Sequence, residues 1–268
     1  MTRMKSDWAA WLLRTYVVLA LLFIFAPVIS LALFSLHEGR IQSFPIEAYS
    51  TRWYGDAWAN QDIREGLRNS FIVGAVTSAL STILGFLSAH LLCRYRLRRQ
   101  SLYVAFVSLP VVIPLILSGM ASLMYFQYIR LAGTLWAVVI AHTSFCSPFA
   151  LGLIRPPYDR LNIELEQAAR NLGASQSRVI FKIVIPQLWP AIAAAALLSF
   201  LVSWDEFILA WFVGGFEKTL PVVIYGMMGT SFNPSLNAVG TVSIGISAVL
   251  LVSIFALKGL ADRMISTR

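Results

Sequence analysis

Residues 161–190 read LNIELEQAARNLGASQSRVIFKIVIPQLWP, and their setting decides the fold. This is the longest polar run after residue 100, with Arg170, Arg178 and Lys182 beside Glu164 and Glu166. Uncharged stretches long enough to span a membrane lie on either side of it. A polar segment so placed is expected to be a water-exposed helical element held between membrane helices. Composition agrees: 58% of residues are hydrophobic and 13% charged, where a soluble domain carries about 25% charged residues. The class is therefore all-α, a polytopic membrane protein, read as a single transmembrane domain over residues 1–268. The net charge of +8 is assigned to basic cytoplasmic loops and not to a nucleic-acid surface.

A membrane-spanning helix needs about 20 apolar residues. Charges bound candidates at 15–36, 69–93, 100–129 and 131–154. A fifth begins after Lys182 and is interrupted by Asp205 and Glu206. The sixth is placed at 237–257, beyond Pro221, Gly226, Gly229 and Pro234. Arg3 and Lys5 precede the first apolar run, but that run is longer than the 7–15 residue core, roughly, of a cleaved signal. It is read as an uncleaved membrane helix. With the N-terminus inside, Arg40, Arg52, Arg64, Arg68, Arg130 and Lys218 fall outside, and the other fifteen of the 21 Lys and Arg fall inside. That asymmetry places both termini and a loop of about 155–187 in the cytoplasm.

The first outer loop, about 37–68, contains Pro45, Trp53, Tyr54 and Trp58. It admits two readings, an interfacial aromatic belt or a docking surface for an external soluble partner. Pro110 and Pro114 predict a kink or break in the third span, either for packing or beside a pathway. Cys93 and Cys146 have no metal or redox spacing and are read as packing residues. His37, His90 and His142 are far apart in sequence, and no phosphate-cradling or nucleophile-elbow motif occurs. No catalytic residue, metal site or cofactor is expected, and energy for work would come from a partner or an ion gradient.

Within 161–190, helix formers from Leu165 to Arg170 are interrupted by Gly173, which permits a sharp turn at positive φ. Pro186 and Pro190 follow at the start of a second helix. The reading is a short helix, a turn, then a helix feeding the fifth span. Its small face at Ala168 and Ala169 suits the groove of another protein. Ala168-Ala169-x3-Gly173, nine residues, then Ile183-Val184-Ile185-Pro186 resembles the EAA loop, E-A-A-x3-G-x9-I-x-L-P, of permease subunits of ABC importers. Gln167 stands where the motif has Glu, with Glu166 one place earlier, and Ile185 replaces Leu. Further likeness to spermidine/putrescine permeases, chiefly the C-type, lies in Trp53-Tyr54, Arg68-Asn69-Ser70 and Ala141-His142-Thr143-Ser144-Phe145. It continues through Gly173-Ala174-Ser175, Ser203-Trp204-Asp205-Glu206-Phe207, Leu220-Pro221 and Asn233-Pro234-Ser235-Leu236-Asn237-Ala238.

Asp205 and Glu206 are the acids of the predicted spans. Asp205 would lie about 22 Å from a helix start near Pro190. A charge within the bilayer costs about 2.5–3.5 kcal/mol by insertion scales, so each needs a cavity or a partner, with Arg130 or another subunit as candidates. Some 100° of helix separates them. Glu206 falls with Ser199 and Ser203, a small polar stripe. Asp205 falls with Leu198, Val202 and Leu209 and needs the more specific partner. His142 is read as a hydrogen-bonded core histidine.

The resemblance implies a type I ABC importer permease fold with six membrane helices in a bacterial inner membrane. It implies a homologous second permease, a periplasmic substrate-binding protein docking near Trp53 and Tyr54, and a cytoplasmic ATPase dimer that binds ATP-Mg. Coupling falls to Glu166, Gln167, Ala168, Ala169, Gly173, Ile183 and Pro186. The substrate pathway falls to Ser203, Trp204, Asp205 and Glu206, and the substrate is a polyamine or similar cationic amine. Opines, aminophosphonates or other amines are alternative substrates. An ion-coupled secondary transporter, with Asp205 or Glu206 as coupling site, is the alternative class.

Overall fold

The computed structural model describes residues 4–95, 97–230 and 233–266. Arg3, Arg96 and Arg268, used above to orient the chain, lie outside the described residues, as do the side chains of Lys5, Lys258 and Arg263. The elements are helices α1 (Met4–Ser35), α2 (Arg52–Ala59), α3 (Gln61–Arg94), α4 (Gln100–Val112), α5 (Leu115–Tyr128) and α6 (Leu135–Asp159). There follow α7 (Ile163–Asn171), α8 (Gln176–Val179), a π-turn at Ile180–Val184, α9 (Ile185–Asp205), α10 (Ile208–Val213), α11 (Leu220–Thr230) and α12 (Ser235–Ser266). Among the described residues five helices are long and apolar enough to cross a membrane. The α4–α5 pair makes a sixth span if it crosses as one. The chain packs as two compact units, residues 1–61 with 227–245, and residues 62–226 with 246–268.

In the first unit, α2 is held against the end of α1 by polar contacts. Trp53 donates its indole N–H to His37 O at 2.6 Å, and Tyr54 Oη lies 2.8 Å from Ser35 Oγ. Leu31 packs where Gly240 presents no side chain, 3.2 Å from the position a Cβ would take.

In the second unit, α3 turns its small residues inward: Ser70, Gly74, Thr77, Ser78, Ser81, Thr82, Gly85 and Ala89 are buried. Lipid tails are as apolar as Leu, so membrane helices associate through close backbone approach and hydrogen bonds between helices. Both occur here. A Cβ on Gly85 would stand 2.7 Å from Ala150 Cβ and 2.8 Å from Leu151 N. Ser78 Oγ donates to Ala196 O at 2.6 Å, and Ser81 Oγ to Thr143 O at 3.3 Å.

The third span is broken, not merely kinked. α4 and α5 meet at 96° across Ile113 and Pro114. Proline contributes no N–H and clashes with the preceding turn, and Pro114 adopts an extended ψ of 129°. Pro186, by contrast, is absorbed without a break. The π-turn before it widens the helix, and Gln187 Nε2 donates to Ile183 O at 3.0 Å.

Candidate functional site

The residues expected to carry function fall into three groups. The first is the acidic pair, where the fifth span stops. α9 ends at Asp205, and Glu206 has an extended ψ of 119° before α10 begins. Four N–H groups at a helix start lack partners inside the helix. Glu206 answers two of them, accepting from Leu209 N at 2.9 and 3.0 Å and from Ala210 N at 3.2 Å. Its Oε2 lies 3.1 Å from His142 Nε2. The other ring nitrogen, Nδ1, is 2.9 Å from Ser203 Oγ. His142 is fully buried, and Ser199, Ser203, Trp204 and Glu206 nearly so. The counter-group facing Glu206 is thus His142 and not Arg130, which instead occupies a positive-φ turn.

Asp205 is placed differently. Its side chain is exposed and accepts from Ser247 Oγ on α12 at 3.1 and 3.4 Å. Of the four residues expected on a pathway, the structure therefore gathers Ser203, Trp204 and Glu206 into packing and leaves Asp205 with a free surface. Ser247 had no distinguishing signal in the sequence, being one hydroxyl in an apolar helix.

The second group is the polar segment. α7 is capped by Asn162, whose Oδ1 accepts from Glu164 N at 2.8 Å. Glu164 and Glu166 sit in its first turn and Arg170 in its last, as the helix dipole favours. It ends in a Schellman motif: Ala174 N donates to Ala169 O at 3.0 Å and Gly173 N to Arg170 O at 2.9 Å. That motif needs a left-handed residue, and Gly173 has φ +84°. Gln167, Ala168, Gly173 and Pro186 are exposed, while Ala169 and Ile183 are half-buried against an apolar cluster. That cluster includes Leu92 of α3, Leu151 and Ile154 of α6, and Val179, Val184 and Leu188. Glu166 departs from the other coupling candidates, because it is turned inward and buried. Arg94 Nε and Nη2 both approach its Oε1 at 2.7 Å. No sequence pattern distinguishes Arg94 from Arg98 and Arg99 nearby.

The third group is the outer loop. Trp53 is buried and Tyr54 half-buried, both turned onto the end of α1. Arg52, Asp56 and Trp58 form the exposed side of α2, with Arg52 3.4 Å from Asp56. A cavity of about 390 Å³ opens here among Arg40, Arg52, Trp53, Asp56, Asn233, Pro234 and Ser235. Among the described residues no three His, Cys, Asp or Glu side chains gather as metal ligands would.

Apolar spans joined by a capped exposed helix, a left-handed glycine and a π-turn leading into the next span define a class: the inner-membrane permeases of ABC importers. A family model described as "Binding-protein-dependent transport system inner membrane component" matches residues 81–266. The chain belongs to that family, and is a non-enzymatic, multi-pass component of an inner membrane. It is similar to the spermidine/putrescine transport system permease protein PotC of Escherichia coli (strain K12), at 26% identity over 86% of this chain and 88% of that protein. It is similar also to the putrescine transport system permease protein PotI of the same organism, at 28% identity over 90% and 87%. A solved bacterial ABC transporter involved in import of the acidic polysaccharide alginate shares the fold, with a TM-score of 0.72 at 18% identity over 96% of this chain and 98% of that one. Membership replaces the ion-coupled transporter as a reading of the acidic pair.

Proposed function

We propose that this chain is the permease subunit through which an ABC importer moves a polyamine or similar cationic amine. Its single domain works beside a homologous permease. Both termini and α7 lie in the cytoplasm, where an ATPase dimer binds ATP-Mg and pushes on Gln167, Ala168 and Gly173. An external binding protein delivers substrate to the opposite face, at the exposed side of α2. Trp53 and Tyr54 hold that helix in place, and Arg52 and Trp58 are exposed on the side that would meet the partner.

The observation that carries the substrate class is the division of the acidic pair. Glu206 is spent on a helix start and on His142, whereas Asp205 exposes a carboxylate on which, among the described residues, the Ser247 hydroxyl donates. A carboxylate at low dielectric attracts an ammonium far more than it would in water, and it disfavours neutral and anionic solutes. The likeness to two polyamine permeases supports the same class.

Uptake of labelled spermidine and putrescine by cells carrying Asp205→Asn and Glu206→Gln tests this. A hydrogen bond to a charged group is worth about 1.5–3 kcal/mol, so Asp205→Asn is expected to lower uptake about tenfold or more while protein accumulates normally. Glu206→Gln is expected to lower the amount of folded protein. Normal amine uptake by Asp205→Asn would contradict the assignment.

A further inference from the structure

We infer that Arg94 and Glu166 form the joint through which movement of α7 enters the membrane helices, so that Glu166 acts inside the chain and not at the ATPase face. This rests on the reading of α7 as an ATPase-docking helix. Three elements meet at the pair. Glu166 is on α7, Arg94 closes α3, and the Arg94 guanidinium stacks on the ring of Tyr158, near the end of α6, at 4.6 Å. The Tyr158 hydroxyl is in turn bonded to His90 Nδ1 on α3. Arg94 Nη2 reaches Leu161 O at 3.5 Å, just before α7. The second Glu166 oxygen lies 3.7 Å from Arg170 Nη2, and Arg170 Nε donates to Glu166 O at 3.3 Å.

Burial is what makes this a joint. The side chains of Arg94 and Glu166 are only 8% and 4% exposed. Separating a desolvated pair leaves each charge uncompensated, whereas apolar contacts can slide with little change. The contacts of Leu161, Ala169 and Ala174 with the cluster beneath α7 are of the second kind. A push on α7 therefore moves Arg94, and with it the ends of α3 and α6, before the pair opens. Gln167 and Ala168, one and two residues on, stay on the exposed side for the partner. Glu166 is a positioning residue, acting through Arg94 and Arg170, which take up its carboxylate.

The test uses the complete importer in lipid, with its ATPase and external binding protein. Glu166→Gln and Arg94→Gln are each assayed for ATPase association and for substrate moved per ATP hydrolysed. The expected result is association within about twofold of the native complex, continued hydrolysis, and about tenfold less substrate per ATP. The exchanged pair Arg94→Glu with Glu166→Arg is expected to recover part of the ratio. Should the neutral variants fail to accumulate, Glu166→Asp and Arg94→Lys are read the same way, with a smaller loss of ratio expected. A native ratio in the single variants would overturn the inference. So would loss of ATPase association in Glu166→Gln alone, which would put Glu166 at the docking face. Ala168→Arg, on the exposed side, is run in parallel: an ATPase that binds it unchanged would overturn the docking reading itself, and the inference with it.

Discussion

Gly173 shows how a single residue can be dictated by backbone and not by space. Among the described residues nothing lies within 4 Å of the position its Cβ would occupy, yet its φ is +84°. Other residues pay about 1–2 kcal/mol there, less for Asp than for most. Gly173→Asp therefore leaves the chain folded and inserted while placing a charge on the surface beside Ala168. Membrane fractionation is expected to find normal amounts, and an uptake assay little or no transport. Transport at the native rate would remove Gly173 from the coupling surface. The acidic pair carries a second lesson. A 100° offset between adjacent positions can separate a buried acid from an exposed one, but it does not say what the buried acid bonds to. The break after Asp205 does, because a new helix start offers Glu206 its N–H groups. The polar stripe of Ser199, Ser203 and Glu206 was legible in the sequence; the contacts of Ser203 and Glu206 with His142 were not, since that partner comes from α6.

At the scale of elements, what could be read from the sequence followed the strength of local signals. The polar α7, its glycine stop and the helix feeding the fifth span are legible because caps, φ > 0 and proline act locally. The break of the third span is legible in Pro114, while Pro110, the other candidate, lies inside the continuous α4; the 96° angle itself cannot be read from the sequence. The contact of α3 with α6 is likewise tertiary. It depends on Gly85 meeting Ala150 and Leu151, a match no single helix reveals. Gly85→Val would overfill that contact, and overpacking costs about 1–3 kcal/mol. The midpoint of thermal unfolding in detergent is expected to fall. Adding Ala150→Gly is expected to recover only part of it, because Leu151 N remains 2.8 Å from the new Cβ. An unchanged midpoint in Gly85→Val would mean that the two helices are less closely packed than described.

For the whole molecule, the exposed apolar sides of its helices are suited to lipid and to a second permease, and the polar groups divide by task. Arg52 and Trp58 are open on α2, Asp205 is open at the break of the fifth span, and Gln167 and Ala168 are open on α7. The buried carboxylates Glu166 and Glu206 each have a partner from another helix. Such an arrangement fits a chain that binds partners and passes a cation without doing chemistry on it. The most direct measurement is uptake of labelled spermidine by liposomes holding the assembled importer, with ATP inside and the external binding protein outside. Accumulation is expected to require both, to be insensitive to collapse of ion gradients, and to fall about tenfold or more in Asp205→Asn. Accumulation driven by an ion gradient without ATP, or undiminished in Asp205→Asn, would contradict the account.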